Sequence, residues 1–242
     1  MAALGSSSFY TAATVDNAPV LVVAEMVAGH AMINPVWEPH SGGLLLVIGS
    51  NPVVSHGYGT TLADPVRRLR EHRAAGGRVV VIDPRRTETA AHADLHLPAR
   101  PGSDVILLAA LARELLVRGA DPVELERFCD PLEVEALRIA LEPFTLAAAS
   151  VAADLPLDAI ASLLDDLRAA PSQLAIFCGT GTTMSSDGIL VEWLRWVLLI
   201  LTGSLDVAGG MRFNRGVVNR LRPPRRMPEP QPGAPSRPEI LE

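Results

Sequence analysis

A glycine-led loop with short polar side chains is the first candidate for chemistry in this sequence. Gly49, Ser50, Asn51, Pro52 and Ser55 follow one another closely, directly after an apolar run. Glycine at the end of a strand lets a ligand approach the backbone, and the Asn and Ser side chains offer hydrogen bonds. The proline stiffens the turn. An ordinary strand-to-helix turn uses the same residue types, so the loop alone fits either interpretation.

A similar loop occupies residues 179–188 and precedes a predicted helix. It begins with Gly179, Thr180, Gly181 and Thr182 and reaches the helix at Gly188. Backbone N–H groups at the positive end of a helix favour an anion by roughly 0.3–1 kcal/mol per charge. The loop lacks the lysine of a Walker motif and is not a complete G-x-G-x-x-G, so its signal is weak in isolation.

Two further loops place carboxylates beside turn residues. Asp83 ends a second apolar run and is followed by Arg85 and Thr87. A carboxylate in that place commonly binds a nucleotide ribose or base, and an arginine can donate to a phosphate. A solvated turn with a helix cap at Thr87 or Thr89 is the alternative. Gly102 precedes Asp104, whose carboxylate suits the N–H groups of a purine or a helix cap.

Three short apolar runs position these loops. They are Leu44–Gly49, Arg78–Asp83 and Gln173–Gly179, and unbroken apolar runs indicate strands buried on both faces of a parallel sheet. A helix over Leu62–Ala75, ended by Gly76 and Gly77, completes a βαβ unit. The sequence therefore predicts an α/β fold with a doubly wound parallel sheet and flanking helices. Its loops meet at the carboxyl edge, where such sheets bind ligands.

The remaining elements are predicted to be helical, apart from the tail. Residues 1–221 form the α/β region, and the proline-rich residues 222–242 are expected to be extended or disordered. The predicted helices are Asp104–Arg118 with Ser103 as its N-cap, Pro122–Phe128, Asp158–Leu167 and Gly188–Thr202.

Composition excludes several classes of function. A net charge of -6 argues against a nucleic-acid surface, which needs a basic face. The only cysteines, Cys129 and Cys178, suit a reducing compartment and provide no cysteine-rich metal site. The most apolar stretch contains Glu192 and Arg195, which favours a buried helix over a membrane span. The N-terminus does not have the pattern of a signal peptide, so a cytoplasmic location is expected.

The order of these motifs resembles the molybdopterin oxidoreductase family, which includes dimethyl sulfoxide reductase, formate dehydrogenase and assimilatory nitrate reductase. The matching motifs are Gly-Ser-Asn-Pro, Val-Ile-Asp-Pro-Arg, Ala-Asp-Leu-His-Leu-Pro, Arg-Pro-Gly-Ser-Asp, Gly-Thr-Gly-Thr-Thr and Leu-Thr-Gly-Ser-Leu-Asp-Val-Ala-Gly-Gly. The resemblance covers residues 1–222 and implies the central domain of such an enzyme, with a molybdopterin guanine dinucleotide as cofactor.

The resemblance also implies roles for individual residues. Asp83 and Arg85 would sit at the nucleotide half of the cofactor, and Asp104 would meet the guanine. The other residues expected to bind the cofactor are Gly49, Ser50, Asn51, Pro52, Ser55, Thr87, Gly102, Gly179, Thr180, Gly181 and Thr182. Of these, Gly179, Gly181 and Thr182 would approach the phosphates or the pterin.

Asp16 is the candidate ligand for molybdenum or tungsten, and hence the candidate catalytic residue. It lies in Val-Asp-Asn-Ala-Pro, the nearest counterpart of a metal-ligand motif of the family. A helix N-cap before Ala18–Ala28 is the alternative for Asp16, and Ser6–Ser8 is another candidate for the ligand. His30 and His40 would lie near the active-site funnel or serve the structure.

The resemblance also predicts what lies outside this sequence. Family members commonly begin with a cysteine-rich segment that binds an iron–sulfur cluster and end with a β-rich domain. The chain is therefore expected to be a fragment, inactive alone, that works with those domains or with electron-transfer subunits on a small-molecule substrate. The alternatives are a non-catalytic electron-transfer subunit of the same fold and an unrelated doubly wound nucleotide-binding module, such as the central domain of a thiamin-diphosphate enzyme.

Overall fold

A four-stranded parallel sheet forms the centre of the fold. The computed structural model describes residues 13–37, 42–57 and 62–213. The sheet contains β2 (Leu44–Ile48), β3 (Arg78–Ile82), β4 (Leu95–Leu97) and β5 (Leu174–Cys178), in the spatial order β4-β3-β2-β5. All neighbouring strands are parallel. This is the order of a doubly wound sheet, so the predicted fold class is confirmed.

The sheet forms because its strands consist almost wholly of apolar residues. Every residue of β2 is buried, as are four of the five residues of β3 and of β5. Only a sheet covered on both faces hides such runs from water. The three predicted strands are therefore confirmed. Each ends one residue earlier than predicted, and β5 also begins one residue later.

Helices connect and flank these strands. A 3-10 turn, Ala90–His92, follows β3. The helices are α1 (Ala13–Asp16), α2 (Ala18–Ala28), α3 (Pro52–Ser55), α4 (Pro65–Ala74), α5 (Asp104–Val117), α6 (Pro122–Phe128), α7 (Pro131–Leu141), α8 (Leu146–Ala153), α9 (Leu157–Ala169), α10 (Thr180–Thr183) and α11 (Gly188–Leu201). All the helices predicted from the sequence are present, with ends that differ by at most three residues.

A small second sheet was not predicted. Strand β1 (Pro35–Trp37) pairs antiparallel with β6 (Met211–Phe213), which brings together residues far apart in the sequence. The stretch between α11 and β6 lies at the amino edge of the main sheet. There the Ser204 hydroxyl accepts the N–H of Leu174 at 3.0 Å.

Three local predictions were wrong. Ser103 precedes α5 but does not cap it with its side chain, since its hydroxyl donates to the carbonyl of Arg100 at 2.6 Å. Asp16 is the last residue of α1, and Asn17 occupies the N-cap position of α2. The loop after β5 does not run to Gly188 without structure, because α10 interrupts it.

The buried charges of α11 are paired with each other. Arg195 Nε donates to Glu192 Oε1 at 2.9 Å, and both side chains are buried. Such a pair tolerates burial because each charge has its partner. Within residues 13–37, 42–57 and 62–213, no single helix is long and apolar enough to cross a membrane. Helices α7 and α8 meet that test only as a pair bent by 56°.

Candidate functional site

The strand order places the candidate site between β2 and β5. From β2 the chain moves outward to β3 and β4, and it then returns to the other side of β2 with β5. At such a reversal, the loops that leave the two central strands diverge and open a crevice. Ile48 and Cys178 are paired at the carboxyl ends of these strands. The loops that begin at Gly49 and Gly179 therefore border this crevice, as the sequence predicted.

The glycines of these two loops pack against each other. A Cβ atom at Gly179 would lie 2.4 Å from the carbonyl oxygen of Gly49, and one at Gly181 would lie 2.9 Å from the same atom. Gly49 has a φ of 54°, and a Cβ atom there would lie 3.0 Å from the nitrogen of Thr182. Contact between the loops therefore requires these glycines, whether or not a ligand approaches them.

Most backbone donors of the glycines are used inside the protein. The N–H groups of Gly49 and Gly179 extend the sheet ladder to Ile82 and Ile48, each at 2.9 Å, and Gly181 N–H donates to the Gly49 carbonyl at 3.0 Å. In the described part of the chain, the backbone N–H groups of Ser50 and Thr180 have no hydrogen-bond partner. These two donors, one from each loop, are available to an anion.

Ser50 and Thr180 also lie side by side. A Cβ atom at Gly179, the residue before Thr180, would lie 2.6 Å from the Cβ of Ser50. Thr180 and Gly181 are exposed and Ser50 is half-buried. Donors from adjacent loops at the ends of parallel strands form the kind of concave backbone surface that binds phosphate.

Two carboxylates lie near this crevice. Asp83 follows β3, and its Oδ1 accepts the N–H of Arg85 at 2.9 Å. Asp104 is the first residue of α5 and is half-buried. Burial raises the pKa of the Asp104 carboxyl, and the negative charge of Asp83 raises it further. A partner that donates hydrogen bonds to the Asp104 carboxylate would relieve this unfavourable environment.

The loop before α5 leaves space for such a partner. Gly102 has a φ of 82°, and no atom lies within 4 Å of the position that its Cβ would take. Pro101 and Gly102 are exposed. In contrast to the glycines of the β2 and β5 loops, Gly102 borders open space and is required by its backbone conformation alone.

Asn51 connects the β2 loop to the β3 loop. Its Oδ1 accepts the N–H of Thr89 at 3.1 Å and the Thr89 hydroxyl at 2.7 Å, and its Nδ2 donates to Glu88 Oε2 at 2.6 Å. The predicted Arg85 is exposed and pairs with Glu88 at 3.5 Å. Sequence reasoning missed Glu88 and Thr89 as parts of the site, because no local pattern shows that they meet Asn51.

Several other candidate residues have their hydroxyl groups engaged within the protein. Thr87 is buried and accepts the N–H of Ala90 at 3.1 Å, which is the capping role considered from the sequence. Thr182 is buried and donates to the Gly179 carbonyl at 2.8 Å. Ser55 is exposed and donates to the Asn51 carbonyl at 3.1 Å, while Pro52 is buried at the start of α3.

Asp16 lies beside the loop that follows β5. The Thr183 hydroxyl donates to the backbone carbonyl of Asp16, which ties α1 to α10. Within the described ranges, no group of three or more His, Cys, Asp and Glu side chains is placed to hold a metal ion. Asp16 as a metal ligand stays a prediction. Ser6–Ser8 and His40 lie outside the described residues, and His30 Nδ1 accepts the N–H of Met32 at 3.1 Å.

Cys178 ends β5 directly before the glycine loop. Burial, with a contribution from the negative charge of Glu192, raises the pKa of its thiol far above the usual range. The thiol therefore stays protonated at neutral pH and does not act as a nucleophile.

Comparison with known proteins identifies the family. The family model described as molybdopterin oxidoreductase matches residues 1–222. This chain belongs to the molybdopterin oxidoreductase family. The resemblance found in the loop motifs is thereby confirmed.

Curated relatives are much longer than this chain. An assimilatory nitrate reductase of Haloferax mediterranei is 33% identical over 185 residues, which are 73% of this chain and 23% of that protein. The formate dehydrogenase major subunit of Haemophilus influenzae is 38% identical over 86 residues, or 36% of this chain and 8% of that protein. The chain thus spans less than a third of the relatives that it matches.

A solved structure shares the fold. Acetylene hydratase from Pelobacter acetylenicus superposes with a TM-score of 0.72 over 87% of this chain and 28% of its own chain, at 21% sequence identity. At that identity the likeness concerns the fold alone. It agrees with the doubly wound sheet.

Proposed function

We propose that this chain is the cofactor-binding central part of a molybdenum- or tungsten-dependent oxidoreductase. It binds the guanine dinucleotide of a molybdopterin at the carboxyl edge of the sheet. The observation that carries this proposal is the pair of N–H groups of Ser50 and Thr180, which lack partners in the described chain and lie at the reversal of strand order. Membership of the molybdopterin oxidoreductase family supports the proposed occupant.

The described residues fit the nucleotide half of this cofactor. The two backbone donors suit phosphate oxygens, which accept hydrogen bonds and carry negative charge. Asp104, half-buried and near Asp83, suits the N–H groups of guanine, because they stabilise a carboxylate that is otherwise unfavourable there. Asp83 ends the strand next to β2, where a ribose is commonly bound. The open space at Gly102 leaves room for the base.

The chain's own residues bind and orient the cofactor. When bound, a molybdopterin supplies the metal and its redox chemistry. The backbone donors fix the phosphates, and Asp104 selects guanine by accepting two hydrogen bonds in one plane. Asp16, whose backbone carbonyl accepts the Thr183 hydroxyl beside the β5 loop, is the proposed metal ligand.

One observation favours a second candidate, a non-catalytic electron-transfer subunit of the same fold. Gly49, Gly179 and Gly181 are required by the contact between their loops, and the side chains of Asn51 and Thr182 make hydrogen bonds inside the protein. A relative without cofactor would need the same residues to keep its fold. Retention of these glycines therefore does not by itself distinguish the two candidates, and the discriminating residue is Asp104.

Binding of GDP to the full chain tests the proposal. GDP carries the guanine, ribose and diphosphate of the nucleotide half. We expect saturable binding by isothermal titration calorimetry, weakened about tenfold or more by Asp104→Asn, since an amide cannot accept both guanine N–H groups. Affinity should also fall as the pH decreases through the raised pKa of Asp104, because the protonated carboxyl loses acceptor capacity.

Asp165→Asn is the matched control. Asp165 is exposed and next to Asp166, whose ion pair with Arg78 marks the opposite edge of the sheet. This variant should bind GDP as the wild type does. A wild-type chain that binds neither GDP nor GMP, or that binds ADP as tightly as GDP and loses no GDP affinity in Asp104→Asn, would contradict a guanine site and favour the second candidate.

The role of the chain in a longer enzyme is part of the same proposal. The proposed enzyme also contains an iron–sulfur segment and a β-rich domain, or works with electron-transfer subunits. It acts on a small-molecule substrate and lies in the cytoplasm. Co-expression with those segments should give a complex that contains molybdenum or tungsten and releases a fluorescent pterin. A correctly folded complex without either would exclude the catalytic candidate.

A further inference from the structure

Thr89 is a fully buried residue that makes none of the proposed contacts with the cofactor. It lies between β3 and the 3-10 turn and is 0% exposed. Its hydroxyl donates to Asn51 Oδ1 at 2.7 Å and accepts the N–H of Val53 at 3.1 Å. Its backbone N–H donates to the same Oδ1 at 3.1 Å. One residue of the β3 loop therefore makes three hydrogen bonds to the β2 loop.

These bonds fix the orientation of Asn51. Both acceptor sites of Oδ1 are occupied by Thr89, and Nδ2 donates to Glu88. The backbone carbonyl of Asn51 also accepts the N–H groups of Val54 and Ser55, each at 2.9 Å. The residue directly after Ser50 thus cannot rotate without breaking several hydrogen bonds, and those to Thr89 are partly buried.

We propose that Thr89 is a positioning residue that, through Asn51, aims the backbone N–H of Ser50 at the phosphates of the bound nucleotide. This inference rests on the proposed function. Its geometric basis is a continuous set of contacts. Thr89 is hydrogen-bonded to Asn51, Asn51 follows Ser50 in the chain, and Ser50 packs directly against Gly179. The Thr89–Asn51–Glu88 cluster joins the loops of β2 and β3, while the glycines join the loops of β2 and β5.

The test compares Thr89→Val with Thr89→Ser in the full chain. Valine keeps the volume of threonine but removes the hydroxyl, whereas serine keeps the hydroxyl and removes the buried methyl group. The quantity to measure is the dissociation constant of guanosine divided by that of GDP. This ratio reports only the contribution of the phosphates. A merely structural role changes the folded fraction and weakens both ligands equally, so it leaves this ratio unchanged.

We expect Thr89→Val to lower that ratio by roughly tenfold, the effect of weakening one charge-assisted hydrogen bond. Thr89→Ser should keep the wild-type ratio even if it lowers the melting temperature. A ratio that Thr89→Val leaves unchanged, or that both variants lower equally, would overturn the positioning role while leaving the guanine site intact. Absence of wild-type GDP binding would overturn both proposals.

A measurement on the wild-type chain covers the case in which Thr89→Val does not fold. Hydrogen exchange of the Thr89 amide reports its bond to Asn51 Oδ1, and exchange of the Val53 amide reports its bond to the Thr89 hydroxyl. If these bonds position a phosphate donor, GDP should slow both amides more than guanosine does at equal saturation. Equal protection by the two ligands would contradict the inference.

Discussion

The two edges of the parallel sheet are built differently. At the amino edge, opposite charges are paired: Arg73 with Asp94 at 2.6 Å and Arg78 with Asp166 at 2.8 Å. At the carboxyl edge, by contrast, Asp104 is half-buried and lies near the like charge of Asp83. Burial raises the pKa of the Asp166 carboxyl as well, but the positive charge of Arg78 opposes that shift, whereas the negative charge of Asp83 adds to the shift of Asp104. This difference distinguishes a structural edge from a binding edge.

Two glycine substitutions at the carboxyl edge should have the largest effects, and they should separate loop packing from backbone conformation. At Gly179 the new Cβ of Gly179→Ala would meet backbone of Gly49 and Ser50, which cannot move without parting the two loops. We expect a loss of about 3 kcal/mol in the free energy of unfolding, measured by chemical denaturation. Gly102→Ala, where only the positive φ is unfavourable, should cost about 1 kcal/mol. Equal losses would contradict the packing role of Gly179.

His72 should make the amino edge sensitive to acid. The imidazole is fully buried, lies 5.3 Å from the Trp37 ring, and has no partner for Nδ1 in the described structure. Burial lowers its pKa, opposed by the carbonyls of Arg78 and Gly43 and by the charge of Asp94. Below pH 6.5 the unfolded chain therefore binds more protons than the folded one, and stability is lost as the pH falls.

The size of the His72 effect has an upper bound. A single group contributes at most ~1.4 kcal/mol per pH unit, in the window between the lowered folded pKa and the usual value. Chemical denaturation of wild type and His72→Leu at several pH values from 7 to 5 measures how the free energy of unfolding changes with pH. His72→Leu should flatten the curve, while His92→Gln, on the 3-10 turn, should not. Parallel curves for wild type and His72→Leu would contradict the assignment.

Asp104→Asn should stabilise the ligand-free chain. A raised folded pKa means that the carboxylate destabilises the fold above that pKa and ceases to do so as the pH falls through it. Removal of the charge should raise the melting temperature at pH 7 by roughly 2–4 °C, the equivalent of about 1 kcal/mol in a chain of this size. The gain should vanish in acid. A loss of stability at pH 7 would mean that the carboxylate is structurally satisfied.

The ion pairs of the amino edge should contribute least. Arg73 is about half exposed, so Arg73→Ala should cost about 0.5 kcal/mol, and less at high salt. Asp94→Ala should cost more, because Asp94 Oδ2 also accepts the N–H of Val79 at 2.8 Å. Thermal denaturation at low and high ionic strength compares them. A larger loss of stability in Arg73→Ala than in Asp94→Ala would contradict the contribution of the hydrogen bond between Asp94 and Val79.

The sequence predicted the sheet and its loops well because their signals are local. Apolar runs such as Leu44–Ile48 and the Gly76-Gly77 stop depend on neighbouring residues alone. It missed the β1–β6 pair, since Pro35–Trp37 and Met211–Phe213 meet only in three dimensions. It also missed α10, whose Thr-Gly-Thr-Thr sequence has low helix propensity.

The candidate site was predictable in place but not in detail. The sequence predicted that the loops bearing Ser50, Thr180 and Asp104 lie at one edge of the sheet, and the strand order places the loops after β2 and β5 there, while the role of these residues in binding stays a prediction. It could not show that Gly179 and Gly181 are required by contact with Gly49, because a glycine near a ligand and a glycine near another loop look alike in a sequence. The hydrogen bonds between Asn51 and Thr89 likewise depend on tertiary structure.

A map of where GDP binds tests the distinction between the edges most directly. In amide NMR spectra of the full chain, GDP should shift the signals of Ser50, Asp104 and Thr180 and leave those of Gly43, Gly77 and Gln173 unchanged. The first group surrounds the carboxyl edge and the second lies at the amino edge. Shifts at the amino edge, or none at saturating GDP, would contradict the assignment of the carboxyl edge as the nucleotide site.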